Sequence, residues 1–363
     1  LVRRHEVDLF RFQGTDESFL DVGALTARVH GLPLDLSRGG MVGKGLFLSR
    51  LRGASRAMAR AIDAGGYDIA FVHHCAFTQA PLVLSSLRTP SVYFCQEPLR
   101  RAYEHPEANG SPERRRAGWA RRMADGLIAR LDAQATRAAT VVLANSLYSR
   151  ESILRCYGVS ARLNYLGVDA GDFPFAPSEP REDFVLSVGR LAPHKGHAFV
   201  IQGLAAAAQA ERPELVIAYD SEEPGERARL EALSRRLSVR LRLLRHPPER
   251  MTELYRTARL VLYAPHLEPL GLVALEAMSS GTPVVGVHEA GVRETVRHGE
   301  TGLLTERDAA AFGAAVAGLL ADRSARERMG RAGRRAVEER WSWDASTATL
   351  EGHMLAVRGL AAP

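Results

Sequence analysis

The chain has 363 residues, 46% of them hydrophobic and 25% charged, enough to bury the cores of two ordinary domains and too apolar for a disordered polymer. No apolar run reaches the ~18 residues that span a bilayer, and no charged-then-apolar leader opens the chain, so a cytoplasmic protein is expected. A formal net charge of +6 favours anionic partners, but zinc-finger spacing, an aromatic RNA-binding strand and a long basic tail are all missing, which argues against nucleic acid.

Short β-rich runs alternate with helical stretches along the whole chain: Val7–Phe12, Ile69–Val72, Ser91–Cys95, Val141–Ala144, Phe184–Val188, Leu215–Ala218, Leu260–Tyr263 and Pro283–Val287. Such alternation predicts parallel sheets covered by helices on both faces, with ligands beyond the carboxyl ends of the strands. The glycine-rich stretch Ser37–Gly45 has the wrong spacing for a phosphate-binding P-loop and carries Gly45 where a hydroxyl should hold magnesium, so it reads as a loop. His73 and His74 end the second strand. Between Glu113 and Arg137 a basic, helical stretch sets Trp119, Met123, Leu127 and Leu131 at four-residue steps, a stripe suited to packing on its own domain or to touching an anionic membrane. Pro174, Pro177 and Pro180 mark an interdomain linker at 174–183. Cys75, Cys95 and Cys156 have neither disulfide-framework count nor metal-ligand spacing and read as reduced thiols.

The most informative segment is Pro265–Met278. Pro269 suits the first turn of a helix, and Leu272, Leu275 and Met278 at three-residue steps give that helix a buried face, so it is expected to begin within a residue or two of Glu268. Backbone N–H groups at Gly271 and Leu272 would then meet an anion at the helix N-terminus. Glu268 and Glu276 would stand roughly 12 Å apart along an ideal helix, a spacing for holding the two ends of an elongated ligand.

Glu268 to Glu276, followed by Ser280–Gly286, resembles the donor-site signature of retaining glycosyltransferases of family four, and Ser187–Gly196 resembles that family's strand, glycine turn and Arg/Lys pair. Gly291, Glu294 and the turn His298–Leu304 extend the likeness. The resemblance implies an α/β protein of two Rossmann-like, doubly wound domains (the GT-B fold) with a cleft between them. It places an acceptor-side domain at 1–173, a donor domain at 184–340 and a tail helix at 341–363 that packs back on the first domain. Leu1–Phe10 resembles the end of the family's first helix running into its second strand, so a preceding strand and glycine-rich loop are expected to be missing.

By the same resemblance the activity is transfer of a hexose-type sugar from a nucleoside diphosphate sugar to a hydroxyl of a glycan or lipid-linked acceptor, as in bacterial cell-envelope polysaccharide synthesis, with contact at the inner membrane face where the acceptor is lipid-linked. Gly189, Arg190 and Lys195 would bind the donor diphosphate, UDP or GDP, and Arg190 and Lys195 would stabilise charge on the leaving group. Glu268, Gly271 and Leu272 would hold the donor sugar, and Glu276 the ribose. His73 is the candidate for acceptor-side acid–base work. No Asp-x-Asp pair occurs, so no cofactor or obligatory metal is expected. The family often has a histidine where this chain has Gln96, which shifts any proton transfer to Glu97 or the departing phosphate. Asn145 and Ser146 resemble a structural turn beside the cleft, and Ala218–Ser221 lacks the usual glycines, which leaves the base open. The alternatives are a non-catalytic nucleotide-sugar-binding protein and another GT-B enzyme such as an epimerase or glucan synthase.

Overall fold

The computed structural model describes residues 1–15, 21–34, 41–103, 119–175, 180–207, 212–245 and 251–361. Residues 37–40 of the glycine-rich stretch, 113–118 of the basic stretch and 176–179 of the expected linker lie outside them. Among the described residues no helix is long and apolar enough to cross a membrane.

The first half contains β1 (Asp8–Phe12), β2 (Arg28–Leu32), α1 (Met41–Ala64), β3 (Ala70–Val72), β4 (Ser91–Phe94), α2 (Arg100–Tyr103), α3 (Trp119–Ala138), β5 (Val141–Ala144), α4 (Leu147–Tyr157) and β6 (Arg162–Leu163). Residues 41–45, expected in a loop, open α1 instead. β1 and β2 pair with each other, and β3 to β6 form a separate four-stranded sheet in sequence order, with every pairing parallel. Met58, Ala59 and Ile62 of α1 bridge the two sheets by packing on Phe10 and Leu32 on one side and Ala70 and Val72 on the other.

The second half contains β7 (Phe184–Val188), α5 (His197–Ala206), β8 (Glu214–Tyr219), α6 (Glu226–Arg236), β9 (Leu241–Arg245), α7 (Met251–Thr257), β10 (Leu260–Tyr263), α8 (Leu272–Ser279), β11 (Val284–Val287), α9 (Val292–Thr295), β12 (Gly302–Thr305), α10 (Ala309–Ala321) and α11 (Arg323–Arg340). Its six-stranded parallel sheet has the order β12-β11-β10-β7-β8-β9, the doubly wound arrangement. Alternation along the strands feeds two cores. Leu186, Val216 and Val261 face α8, while Val185, Ile217 and Leu262 face Val200, Leu204 and Phe312 of α5 and α10. Each such side chain contributes roughly 1.5–3 kcal/mol by leaving water, which is why both faces of the strands must be apolar.

The final helix, α12 (Trp343–Ala361), returns to the first half. Val357 packs with Val92, Phe94 and Leu143, and the His353 ring hydrogen-bonds the Leu163 carbonyl at 3.0 Å. Two Rossmann-like domains of parallel sheet thus face a common cleft.

Candidate active site

In the second sheet the strand order reverses between β7 and β10, so their carboxyl ends open a crevice. The turn after β7 is locked by a residue the sequence pattern did not single out. His197 is 1% exposed, with Nε2 3.1 Å from the Gly189 carbonyl and Nδ1 3.0 Å from Ser187 Oγ. Burial drives its pKa down to about 4, so the ring is neutral and has one N–H. The carbonyl can only accept. Nε2 therefore donates to Gly189, and the Ser187 hydroxyl donates to Nδ1. This fixes Gly189 and Arg190 at the end of the strand. Gly196 brings the turn against the next loop: its φ is +74°, and a β-carbon there would stand 1.8 Å from the Ala264 carbonyl oxygen.

The loop after β10 is held from both sides. Arg307, paired to Glu289 at 2.7 Å, donates to the carbonyls of Ala264 and Pro265 at 3.0 and 2.8 Å. From the first domain, Arg100 donates to the carbonyls of His266 and Leu267 at 2.6 and 2.9 Å. Leu267 takes a left-handed φ of +49°, which turns the chain into Glu268. Glu268 lies beside Lys195, whose Nζ donates to Oε2 at 3.0 Å, and burial, with the Glu268 and Glu276 carboxylates, pushes the pKa of the Tyr263 hydroxyl up. Arg190 is half exposed and stands 4.0 Å from Glu223. His194 reports the field of these groups. Its pKa falls to about 4 through burial first, and then through Lys195, Arg100 and Arg190. Lys195, Arg100 and Arg190, drawn from both halves of the chain, therefore all disfavour a charge on His194.

The helix expected near Glu268 begins later. Pro269 and Leu270 lie in the loop, and α8 starts at Leu272, because Gly271 at φ +97° takes the left-handed N-cap position. The 12 Å axial spacing between Glu268 and Glu276 therefore does not apply: the first carboxylate sits on the loop and the second inside the helix. The first-turn N–H groups at Gly271 and Leu272 have no intrahelical acceptors. Glu276 receives the hydroxyl of Tyr255 at 2.5 Å, and its pKa is raised by burial, against which the Tyr255 bond works.

On the first domain, His73 lies at the end of β3 with its ring edge-on to Phe71 at 4.6 Å and to Phe94 at 6.4 Å. Desolvation and then His74 lower its pKa. Among the described residues no hydrogen bond, ion pair or ring contact joins His73 to Lys195 or Glu268. Ser146 caps α4 by accepting from the Ser149 N–H at 2.9 Å, and the Ser149 hydroxyl donates to the Gln96 carbonyl at 2.7 Å. Tyr219 is buried and bonded through its hydroxyl to Arg227, whereas Asp220 caps Ser221 at the surface. On α3 the apolar stripe divides: Leu131 is buried at 4% exposure, while Met123 and Leu127 are 68% and 45% exposed.

Comparison with known proteins accounts for this arrangement. The family model described as glycosyl transferases group 1 matches residues 172–336, and that of glycosyltransferase family 4 matches residues 1–171. The chain belongs to the group 1, family 4 glycosyltransferases. It is 33% identical over 239 residues to a D-inositol 3-phosphate glycosyltransferase of Xylanimonas cellulosilytica, a match covering 60% of this chain and 57% of that protein. A glycogen synthase of Mycobacterium tuberculosis is 35% identical over 202 residues, 53% of this chain and 48% of that one. The chain thus matches about half the length of these curated relatives.

Among solved structures, sucrose-phosphate synthase from Thermosynechococcus elongatus superposes with a TM-score of 0.76 at 21% identity, covering 98% of this chain and 90% of that one. Anabaena HepE in complex with UDP-glucose gives 0.69 at 19% identity, covering 96% and 91%. At these identities the likeness shows the GT-B fold alone. Within this glycosyltransferase the sequence pattern passed over His197, Arg307, Arg100 and Tyr255. His197 had a local signal, since it follows the Lys195-Gly196 pair directly. The other three reach the site through space from distant segments.

Proposed function

We propose that the chain transfers a hexose-type sugar from a nucleoside diphosphate sugar to an acceptor hydroxyl, with retention at the anomeric carbon and without an obligatory metal. The observation that carries this reading is the cluster formed by Lys195 bonded to Glu268 at 3.0 Å, on a loop that Arg100 ties to the first domain, beside the N-terminus of α8. Such a cluster suits a diphosphate next to a hydroxyl-binding carboxylate. The relatives named for glycosyl transfer and the fold neighbour described with UDP-glucose support the same donor class.

In this reading Arg190 and Lys195 grip the diphosphate, and Gly271 and Leu272 supply backbone donors. Glu268 orients sugar hydroxyls, and Glu276 accepts from the ribose. The anomeric carbon–oxygen bond to phosphate breaks and the bond to the acceptor oxygen forms on the same face. The acceptor's proton passes to the departing phosphate oxygen, so no strong protein base is needed. His73 contacts the acceptor. The donor domain occupies 184–340, the linker 174–183, the acceptor domain 1–173 and the returning tail 341–363, a division supported by the junction of the two family matches at residue 171. The protein works in the cytoplasm, and a lipid-linked acceptor would bring it to the inner membrane face.

The test is release of nucleoside diphosphate from UDP- and GDP-sugars with and without a panel of hydroxyl acceptors, in the presence of EDTA. Acceptor-dependent release of one nucleotide supports the reading. Binding of the nucleotide with no release under any acceptor would reduce the protein to a binder.

A further inference from the structure

Arg100 opens α2, directly after the loop that follows β4 at the carboxyl edge of the first-domain sheet. That loop is anchored inside its own domain. The Glu97 carbonyl accepts from Gln79 Nε2 at 3.1 Å, the Gln96 carbonyl accepts from the Ser149 hydroxyl at 2.7 Å, and the Leu99 N–H donates to the Tyr157 hydroxyl at 3.0 Å. Tyr157 in turn donates to the Asp132 carboxylate at 2.6 Å, and both of these side chains are buried. Arg100 is a long cationic arm on this anchored loop, with 18% of its side chain exposed and Nε 3.6 Å from Glu97 Oε2.

The arm ends on the other domain. Its Nη2 donates to the carbonyls of His266 and Leu267 at 2.6 and 2.9 Å, the two residues that precede Glu268. Leu267 is a bulky residue at φ +49°, in the left-handed region that such side chains avoid, and a conformation of this kind persists only where neighbouring groups over-determine it. The donor domain secures the loop on both sides of that residue. Arg307 holds the carbonyls of Ala264 and Pro265, the His266 N–H donates to the His194 carbonyl at 2.8 Å, and the Gly291 N–H donates to the Glu268 carbonyl at 2.9 Å. Among the described residues, Arg100 alone bonds the carbonyls of His266 and Leu267. The turn that aims Glu268 is therefore completed by a residue of the opposite domain.

We propose that Arg100 is a positioning residue for sugar transfer: it sets the Leu267 turn, and through it the Glu268 carboxylate, only when the two domains are seated against each other. This rests on the function proposed above. Arg190, Lys195 and Gly271 all belong to the donor domain and keep their places without Arg100, so the arm governs the sugar end of the donor and leaves the diphosphate end alone. The donor sugar is thereby oriented only in the arrangement that also brings the acceptor side into reach.

Two measurements are made on the parent chain, Arg100→Ala, Arg100→Lys and Tyr165→Phe. The last removes a hydroxyl bond to Glu294, a different tie between the domains that does not touch the Glu268 loop. One measurement is amide hydrogen exchange across residues 264–272, with and without UDP or GDP. The other is kcat and KM for acceptor-dependent nucleotide release from UDP-glucose and GDP-mannose, beside the dissociation constant of the free nucleoside diphosphate. Arg100→Ala should speed exchange across 264–272 by roughly fivefold or more. It should lower kcat by about tenfold or more, the usual cost of misplacing a contact group, while diphosphate affinity stays at the parent value. Arg100→Lys should recover part of both losses, because an ammonium can still donate to one carbonyl. Tyr165→Phe should match the parent. Unchanged exchange in Arg100→Ala overturns the proposal whatever the activity, as does a kcat loss accompanied by an equal loss of diphosphate affinity, or one that Tyr165→Phe reproduces. A parent chain that binds neither nucleotide and releases none overturns the proposed function itself, and Arg100's part in the reaction with it.

Discussion

Lys195 Nζ donates to Glu268 Oε2 at 3.0 Å, and this bond joins the loop after β7 to the loop after β10 across the reversal of strand order. Both side chains keep some exposure, 25% and 17%, so the pair contributes at most about 1 kcal/mol to folding. Its consequence under the proposed function lies in binding, because a diphosphate that recruited Lys195 would release Glu268 toward the sugar. Lys195→Met is expected to shift the melting temperature little while weakening nucleoside diphosphate binding by roughly 10- to 100-fold, the worth of one charge-assisted bond. Calorimetric titration beside thermal melting checks both halves, and equal affinity in parent and variant would remove Lys195 from the donor site.

Glu276 gives an opposite trade. Its folded pKa lies above the ordinary 4.5 because burial disfavours the charge. For a raised pKa the stabilising contribution is fully present below 4.5 and is lost as pH rises through the folded value. Above that folded value the ionised carboxylate therefore costs stability. Glu276→Gln should melt higher than the parent at pH 7–8, with the gap closing toward pH 4, and should lose about tenfold or more in nucleotide affinity. A lower melting temperature at pH 8 would contradict this.

His197 sets acid sensitivity. Its pKa is depressed from 6.5 to about 4, so its contribution is present above pH 6.5 and is lost as pH falls through about 4. A displacement of that size in a buried ring corresponds to roughly 3 kcal/mol. His197→Ala should destabilise the protein at pH 7.5 by about 2–4 kcal/mol through the two orphaned partners, Gly189 O and Ser187 Oγ. It should also flatten the fall in stability between pH 6.5 and 4. Urea unfolding at several pH values reads both effects.

Glu294 ties the two domains together. Its carboxylate accepts from the N–H groups of Leu147 and Tyr148 at 2.9 and 3.0 Å, at the start of α4, and from the Tyr165 hydroxyl at 2.8 Å. Removing a carboxylate that caps a helix costs roughly 0.5–2 kcal/mol. Glu294→Ala should lower the melting temperature and enlarge the radius of gyration in solution scattering as the cleft opens. An unchanged scattering profile would show that Arg100 and the returning α12 hold the domains without it.

Two glycines should respond oppositely to alanine. At Gly196 the new β-carbon meets the Ala264 carbonyl oxygen at 1.8 Å, whereas at Gly126, inside α3, it meets nothing within 4 Å. Gly196→Ala should fail to accumulate as folded protein or lose nucleotide binding. Gly126→Ala should stabilise by roughly 0.5–1 kcal/mol, the helix preference for alanine over glycine. Expression and thermal melting of both variants provide the check.

The eight strands legible in the sequence are mostly those with apolar neighbours on both sides, such as Phe184–Val188 and Leu260–Tyr263. The four that were not, β2, β6, β9 and β12, are all edge strands. An edge strand needs no continuous apolar run, and β9, reading Leu-Arg-Leu-Leu-Arg, alternates charge with apolar residues along the open side of the sheet. The start of α8 was misplaced for a related reason. Proline at a first helical turn is a local preference, and the left-handed Gly271 overrides it because the chain must first pass the turn at Leu267.

By itself the sequence determined the doubly wound class, the family, the turns that carry Lys195, Glu268 and Gly271 and the helix that carries Glu276, because strand periodicity and glycine turns are encoded within a few residues. Only the tertiary structure decided that Lys195 and Glu268 are partners and that Arg100 reaches across to the loop before Glu268. The same holds for Tyr255 on Glu276. These are contacts between residues 21 to 167 positions apart or between separate segments of chain. Their free energy comes from electrostatics and burial at distances that only the folded sheet sets.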